Sequence, residues 1–421
     1  MDLTLWGLAR SGMAPAAMTH TAQLLEAART NLYQNYKKPE FVLCEGRGCE
    51  VFDTDGRRYL DLCAGIAVDT LGHSHPRMVT ALAAQAGKLM HVSNYFHNEA
   101  NIRLAERLTA VTGFARALFC NSGTEAVEAA LKLARRHFSA QGQTQRYRVI
   151  AFGNSFHGRT MGALAVTGQP GYREGFGPLV GATHVRFGDI ESVRAAMGPD
   201  VAAILVEPIQ GEGGVIPAPE GFLGALRELC NETETLLLAD EVQTGIGRTG
   251  KWLAFEHAGV KADAVAVAKG LGGGFPIGAM LCQEALAAVL PPGSHGTTFG
   301  GNALASVAAL TVLDVLQEGL LQAVPAKASA LTEGLTSLLE CHPNLVETVR
   351  GQGLLQVLML REGVDARAVL DRTLGAGLLL TLAGGRGLRF SPALTITKEE
   401  IDEGIRRLDE VLNAVTPCPT S

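Results

Sequence analysis

Five short apolar runs, ARALFC, RVIAFG, AAILVEP, TLLLADE and DAVAVAK, recur through the middle of the chain. Each has the length of a single strand and lacks the polar alternation of a half-exposed one. Between them lie amphipathic segments such as Glu125–His137 and Gly221–Cys230. Strands apolar on both faces must be covered on both, which predicts a mainly parallel sheet flanked by helices. That α/β domain is expected over residues 71–315.

Residues 316–421 have a different texture. RGQGLLQVLML and GLRFSPALTI read as strands, and TKEEIDEGIRRLDEVL reads as a helix whose Thr397 and Glu400 form a capping box. A smaller α+β domain follows from this pattern. Residues 21–70, with DTDG as a turn between strands, are expected to pack beside it, and residues 1–20 to form a disordered tail. Within that tail Met13 or Met18 is a candidate for the true start.

The bulk properties narrow the function. A net charge of −6 with 36 basic residues provides no basic field, which argues against nucleic acid as a partner. No apolar run reaches the roughly 18 residues of a membrane span. The eight cysteines are scattered, which reads as reduced thiols in the cytoplasm rather than a disulfide framework.

The chemistry gathers where the strands should end, the edge at which open α/β sheets bind ligands. ALFC is followed by Asn121-Ser122-Gly123-Thr124-Glu125, which opens a helix and reads either as a simple N-cap or as an anion site. VIAF is followed by Asn154-Ser155-Phe156-His157-Gly158-Arg159, AILV by Glu207 and LLLA by Asp240-Glu241-Val242-Gln243. The last run delivers Lys269, followed by five glycines in nine residues. Burying a lysine is costly, and so many glycines imply close approach to something.

Two other motifs are decoys. Gly245-Ile246-Gly247-Arg248-Thr249-Gly250 matches the spacing of a dinucleotide loop, but DEVQT intervenes after the strand and no long helix follows. With Lys251 it approaches a phosphate-binding P-loop, yet Trp252 stands where Ser or Thr is needed. His73 and His75 in GHSHP suggest metal, but with no carboxylate or thiol at ligand spacing they read as a turn before Pro76, so no metal is expected.

A lysine, an aspartate at a neighbouring strand end and a helix N-terminus for a phosphate together fit pyridoxal 5′-phosphate. From about Asn35 to Val411 the chain resembles the class III (ω-amino acid) aminotransferases of pyridoxal-phosphate fold type I. The resemblance rests on CNSGTEAVEAALKLAR, SFHGRTMGAL, VEPIQGEGG, LLLADEVQTGIGRTG, AKGLGGGFPIGAM, HGTTFGGN and LRFSPALTI. Within that class it is most similar to the acetylornithine branch, through GIAV and LGHSHP, HVSNYFHNE and TGQPGYREGFGPL.

The resemblance implies a role for each matching residue. Lys269 would be the Schiff-base lysine and proton shuttle, and Asp240 the partner of the pyridine nitrogen. Val242 and Phe156 would cover the two ring faces, Gln243 would lie near the phenolic oxygen, and His157 would join the cofactor site. Ser122, Gly123 and Thr124 would bind the phosphate, with Thr298 reaching across from the other subunit of a homodimer. Arg159 would bind the carboxylate remote from the reacting amine, and Arg389 the α-carboxylate of glutamate or 2-oxoglutarate. Glu207 would pair with Arg389 while an amine substrate is bound; outside the family it reads equally as a structural strand-end carboxylate. Gly65 would leave room for an acylated α-amine, and Tyr36 would line the same end of the pocket. Ala303 departs from the proline that the family often carries after GGN.

The expected activity is transfer of the ω-amino group of N2-acetyl-L-ornithine to 2-oxoglutarate in arginine biosynthesis. Succinylornithine, acyl- or carrier-bound lysine, ornithine and 4-aminobutyrate remain alternative donors. An aminomutase on the same cofactor, or a non-catalytic scaffold or dinucleotide binder, are the readings from other classes.

Overall fold

The structure is a computed structural model that describes residues 18–415; the expected tail therefore lies mostly outside the described residues, and a helix begins at His20. An antiparallel meander follows, β1 (Leu43–Arg47), β2 (Glu50–Asp53) and β3 (Arg58–Asp61). The DTDG turn joins the last two, and the Asp53 carboxylate accepts the amides of Asp55 and Arg57 there.

The apolar runs form one seven-stranded sheet. In chain order its strands are β4 (Arg116–Cys120), β5 (Arg148–Phe152), β6 (Ala182–Val185) and β7 (Val201–Val206). A two-stranded ribbon of β8 (Ile209–Gln210) and β9 (Ile216–Pro217) comes next. The sheet resumes with β10 (Leu236–Asp240), β11 (Ala264–Val267) and β12 (Gly278–Cys282). The spatial order is β4-β12-β11-β10-β7-β5-β6, and β12 alone runs antiparallel to its neighbours. Every residue of β7, β10 and β11 is buried, as strands covered on both faces require. The helix Gly123–Ala140 covers one face with its Ala126, Val127, Ala130 and Leu133 stripe.

The remaining strands are β13 (Val346–Gln352), β14 (Leu355–Leu360), β15 (Leu378–Leu379), β16 (Thr381–Ala383) and β17 (Gly387–Phe390). RGQGLLQVLML is therefore a hairpin and not a single strand. Gly353 breaks it at φ +61°, where a Cβ would stand 2.5 Å from the Arg248 carbonyl oxygen. GLRFSPALTI keeps strand geometry only to Phe390. β15 pairs in parallel with β3, so the N-terminal meander and the C-terminal segment share a sheet. The final helix, Lys398–Asn413, has the reciprocal cap, with Thr397 Oγ1 accepting the Glu400 amide and Glu400 accepting the Thr397 amide.

The helical stretch Ala303–Cys341 is long and apolar enough to cross a bilayer by length and composition. Its first half is nevertheless core: Ala305, Ala308, Ala309, Val312 and Leu313 are all buried. Ala303 opens this helix after the Asn302 cap, the position proline favours in other sequences; alanine fits it as the strongest helix former.

In the GIGRTG turn the arginine faces inward. Arg248 donates to the carbonyls of Leu354 and Pro392, 3.0 and 2.5 Å away. His73, expected to lack acidic neighbours, has two: its Nε2 lies 2.8 Å from Asp61 and its Nδ1 3.8 Å from Asp69. The bend Ala64–Ala67 brings in Asp61 from twelve residues away, whereas Asp69 stands only four residues before His73. No group of three metal-ligating side chains forms among the described residues.

The hairpin turn supplies a stability test. Gly353→Ala combines left-handed strain with overlap against Arg248 and is expected to cost about 3 kcal/mol. Gly363→Ala, left-handed at φ +88° but facing open space, is expected to cost about 1 kcal/mol. Equal losses in chemical denaturation would contradict the role assigned to close packing at Gly353.

Candidate active site

The sheet register places the acidic groups. Ala239 pairs with Val206 and Asp240 with Ala266, so the ends of β7, β10 and β11 lie side by side with Glu207, Asp240 and Lys269 projecting beyond them. They open on a cavity of about 390 Å³, also lined by Ser122, Gly123, Thr124, Phe156, His157, Arg159, Val242 and Gln243. Twelve residues of interest thus converge from six segments, and Glu212 is among them.

Lys269 sits at φ +42° on the turn that ends β11. Burial pushes its ammonium below the ordinary lysine value, against the opposing charge of Glu212. The amine is therefore more available as a base and nucleophile than a surface lysine. The glycines after it mostly admit backbone. A Cβ on Gly272 would lie 1.9 Å from the Phe275 carbonyl oxygen, and one on Gly278 would lie 2.3 Å from that of Ser122. Gly278 thus lets β12 approach the Ser122 loop.

Ser122 caps the helix Gly123–Ala140, its Oγ accepting the Glu125 amide at 3.4 Å. The first-turn amides of Gly123 and Thr124 have no intrahelical acceptor, and both residues line the cavity, where an anion would complete them. Gly123 is required because a Cβ there would stand 2.6 Å from Val242 Cγ1. Val242 is thereby pressed against the helix start, with Phe156 also on the cavity wall.

Asp240 is 4 % exposed and its Oδ2 lies 2.7 Å from His157 Nδ1, while its Oδ1 accepts the Val242 amide. His157 thus supports Asp240 from behind, and its Nε2 is buried without a partner. A buried carboxylate braced by an imidazole suits a cationic ring nitrogen, the helix N-terminus suits a phosphate, and Lys269 suits an aldehyde. On this donor set pyridoxal phosphate fits.

The expected pairing of Glu207 with Arg389 is not what the structure holds. Arg389, on β17 and 1 % exposed, donates Nη1 to Glu212 Oε1 at 2.5 Å and Nε to Thr381 Oγ1 at 3.1 Å. Glu207 instead accepts the Phe156 amide at 3.1 Å. Burial, reinforced by the negative charge of Asp240, pushes the Glu207 carboxyl well above its usual range. A carboxyl that prefers its proton makes a poor counterion. Burial also works to raise Glu212, but the charges of Arg389 and Lys269 outweigh it and hold the carboxyl below its usual value. The tip of the β8–β9 ribbon carries Glu212 across to β17. VEPIQGEGG contains both acids, and the resemblance was carried onto Glu207 where the structure pairs Glu212.

Four expected residues stay away from the cavity wall, Arg389 among them. Tyr36 is 71 % exposed within a stretch lacking regular structure. Thr298 is exposed and borders a second cavity with Asn94 and Tyr95. Gly65 lies in the left-handed bend, while Val68 just after it lines the cavity. Tyr172, which sequence reasoning passed over, stacks its ring beneath the Arg159 guanidinium at 3.8 Å.

Comparison with known proteins identifies the family. The family Aminotransferase class-III matches residues 32–412. The acetylornithine aminotransferase of Myxococcus xanthus is 48 % identical over 403 residues, covering 95 % of this chain and 100 % of that one. Among solved structures, the N-acetylornithine aminotransferase of Stenotrophomonas maltophilia superposes with TM-score 0.80 at 39 % identity, covering 93 % of this chain and 98 % of that one. The ornithine aminotransferase of Toxoplasma gondii, solved with partial occupancy of pyridoxal phosphate at its active site, gives TM-score 0.89 at 34 % identity over 93 % and 94 %. The chain belongs to the class-III aminotransferases, enzymes of fold type I that depend on pyridoxal phosphate.

The lowered ammonium pKa of Lys269 has a measurable consequence. Uptake of pyridoxal phosphate by the apoprotein requires the free amine, so its rate should rise with pH through a midpoint below the ordinary lysine value of 10.5. A midpoint at or above that value would contradict the burial effect, and Lys269→Ala should remove the pH-dependent phase.

Proposed function

We propose that this aminotransferase takes the δ-amino group of N2-acetyl-L-ornithine and delivers it to 2-oxoglutarate, yielding N-acetylglutamate 5-semialdehyde and glutamate in arginine biosynthesis. The observation that carries the reading is the contrast between two arginines. Arg389 is covered by Glu212, which lines the cavity while Arg389 does not, and Arg159 faces the cavity uncovered. An ω-amine substrate brings only hydrogen atoms on its reacting carbon, so a bare Arg389 would be left desolvated and unpaired beside it. Glu212 neutralises it. Glutamate brings an α-carboxylate, and Glu212 then yields its place. One cavity can thus serve two unlike substrates.

When bound, pyridoxal phosphate supplies an electron sink for the carbanion formed beside the substrate nitrogen. Lys269 Nζ, once displaced by the substrate amine, would take the proton from the amine-bearing carbon and deliver it to the cofactor side of the C–N bond, not back to the carbon it left. Asp240, braced by His157, would face the ring nitrogen, and the Ser122–Thr124 amides would hold the phosphate end. Val242 and Phe156 restrict the plane in which the reaction proceeds. Arg159 binds the remote carboxylate.

The active unit in this reading is a homodimer in the cytoplasm. In support, Tyr95 and Phe96 are 93 % and 70 % exposed near Thr298, and Phe299 is 60 % exposed. Light scattering should give twice the 44.3 kDa chain mass, and a fully active monomer would contradict the shared site.

Half-reactions separate the alternatives. Acetylornithine should react faster than succinylornithine, ornithine, lysine and 4-aminobutyrate; ornithine as the best donor would overturn the substrate assignment. Glu212→Gln should slow the acetylornithine half-reaction about tenfold or more relative to the glutamate half, because it uncovers a buried charge. Glu207→Gln mimics the protonated acid and should stay within about threefold of the parent in both halves. The reverse ranking would restore the pairing expected from sequence.

A further inference from the structure

Arg389 is held by a carboxylate and a hydroxyl, and Arg159 by neither. Among the described residues Arg159 makes no ion pair and no side-chain hydrogen bond; its guanidinium lies 3.8 Å above the Tyr172 ring and 5.7 Å from the Phe156 ring. The two rings meet edge to face, with centroids 5.6 Å apart and planes at 82°. An arginine paired in advance would have to break that pair to receive a substrate carboxylate. An arginine with nothing to hold it would lose rotamer freedom on binding. Stacking on an aromatic face orients the fork and leaves its N–H donors free.

Tyr172 is itself fixed. It sits on the single helical turn Pro170–Arg173, whose neighbour Arg173 lies with Nη1 3.3 Å from His184 Nδ1. Burial, together with the Arg173 charge, lowers the His184 pKa, so that nitrogen serves as an acceptor. His184 belongs to β6, in register with Ala151 of β5. A continuous path therefore runs from the sheet through His184 and Arg173 to the ring beneath Arg159.

We infer that Tyr172 is a specificity-determining residue that pre-orients Arg159 for the substrate's remote carboxylate through its ring face, without touching the reacting atoms. The inference rests on the reading of Arg159 as the carboxylate receptor. The remote carboxylate of the acceptor dicarboxylate uses the same fork, whereas N-acetylputrescine, which is acetylornithine without its carboxylate, makes no demand on it.

The test uses the holoenzyme with both amines. At an exposed site a cation–π contact corresponds to roughly two- to fivefold in a binding constant. Tyr172→Leu should raise the KM for acetylornithine by about that factor with kcat little changed, and leave N-acetylputrescine unaffected. Tyr172→Phe should restore the parent value, because the ring and not the hydroxyl acts. Calorimetry with N2-acetylnorvaline, which keeps the carboxylate but lacks the reacting amine, should show the same weakening of Kd. Arg159→Met should abolish the preference for acetylornithine over N-acetylputrescine, and adding Tyr172→Leu to it should change nothing more. If Arg159→Met leaves the preference intact, the receptor reading fails. If Arg159→Met removes it but Tyr172→Leu weakens both amines equally, or Tyr172→Phe matches Tyr172→Leu, the inference about Tyr172 is overturned.

Discussion

The structure depends on three buried parallel strands ending in register. β7, β10 and β11 are apolar up to the terminal Asp240 of β10 because both faces are covered, so polar groups appear where the strands end. Adjacent strands lie about 4.8 Å apart, so Glu207 and Asp240 must share one low-dielectric neighbourhood. Two carboxyls so placed cannot both ionise cheaply. Asp240 has His157 as its partner, while Glu207 has one backbone amide and a raised pKa. The same burial lowers Lys269. Sheet geometry thus sets the protonation preferences on which the chemistry rests.

The two arginines show two ways of storing a positive charge beside such a site. Arg389 is almost wholly buried, and a buried guanidinium needs acceptors for its donors. Glu212 provides one and stays on the cavity side, where an incoming carboxylate can compete. Arg159 is exposed, so water can share its charge and an aromatic face suffices to hold its direction. Burial decides which arrangement is physically available at each position.

Much of this was legible in the chain. Strand positions followed from apolar runs, and the run of strand-end residues led to Lys269, Asp240 and the Ser122 loop because those groups adjoin their strands in sequence. The capping box at Thr397 was readable for the same local reason. The hairpin at Gly353 was harder: the polar and glycine residues Gln352 and Gly353 are a short break before an apolar run, and the turn also packs against Arg248 about a hundred residues earlier in the chain. Glu212 and Glu207 have equal chemical credentials in sequence. Only the course of the β8–β9 ribbon separates them.

By itself the sequence determined the sheet, the edge at which ligands bind and the identity of the groups projecting from it, since all of these follow from local periodicity and from what directly succeeds each strand. Tertiary structure decided the pairings: Glu212 with Arg389, His157 with Asp240, Tyr172 with Arg159. Each joins side chains from different elements. Whether a carboxyl carries charge, or an arginine is covered, depends on the burial and neighbours that only the folded chain assembles.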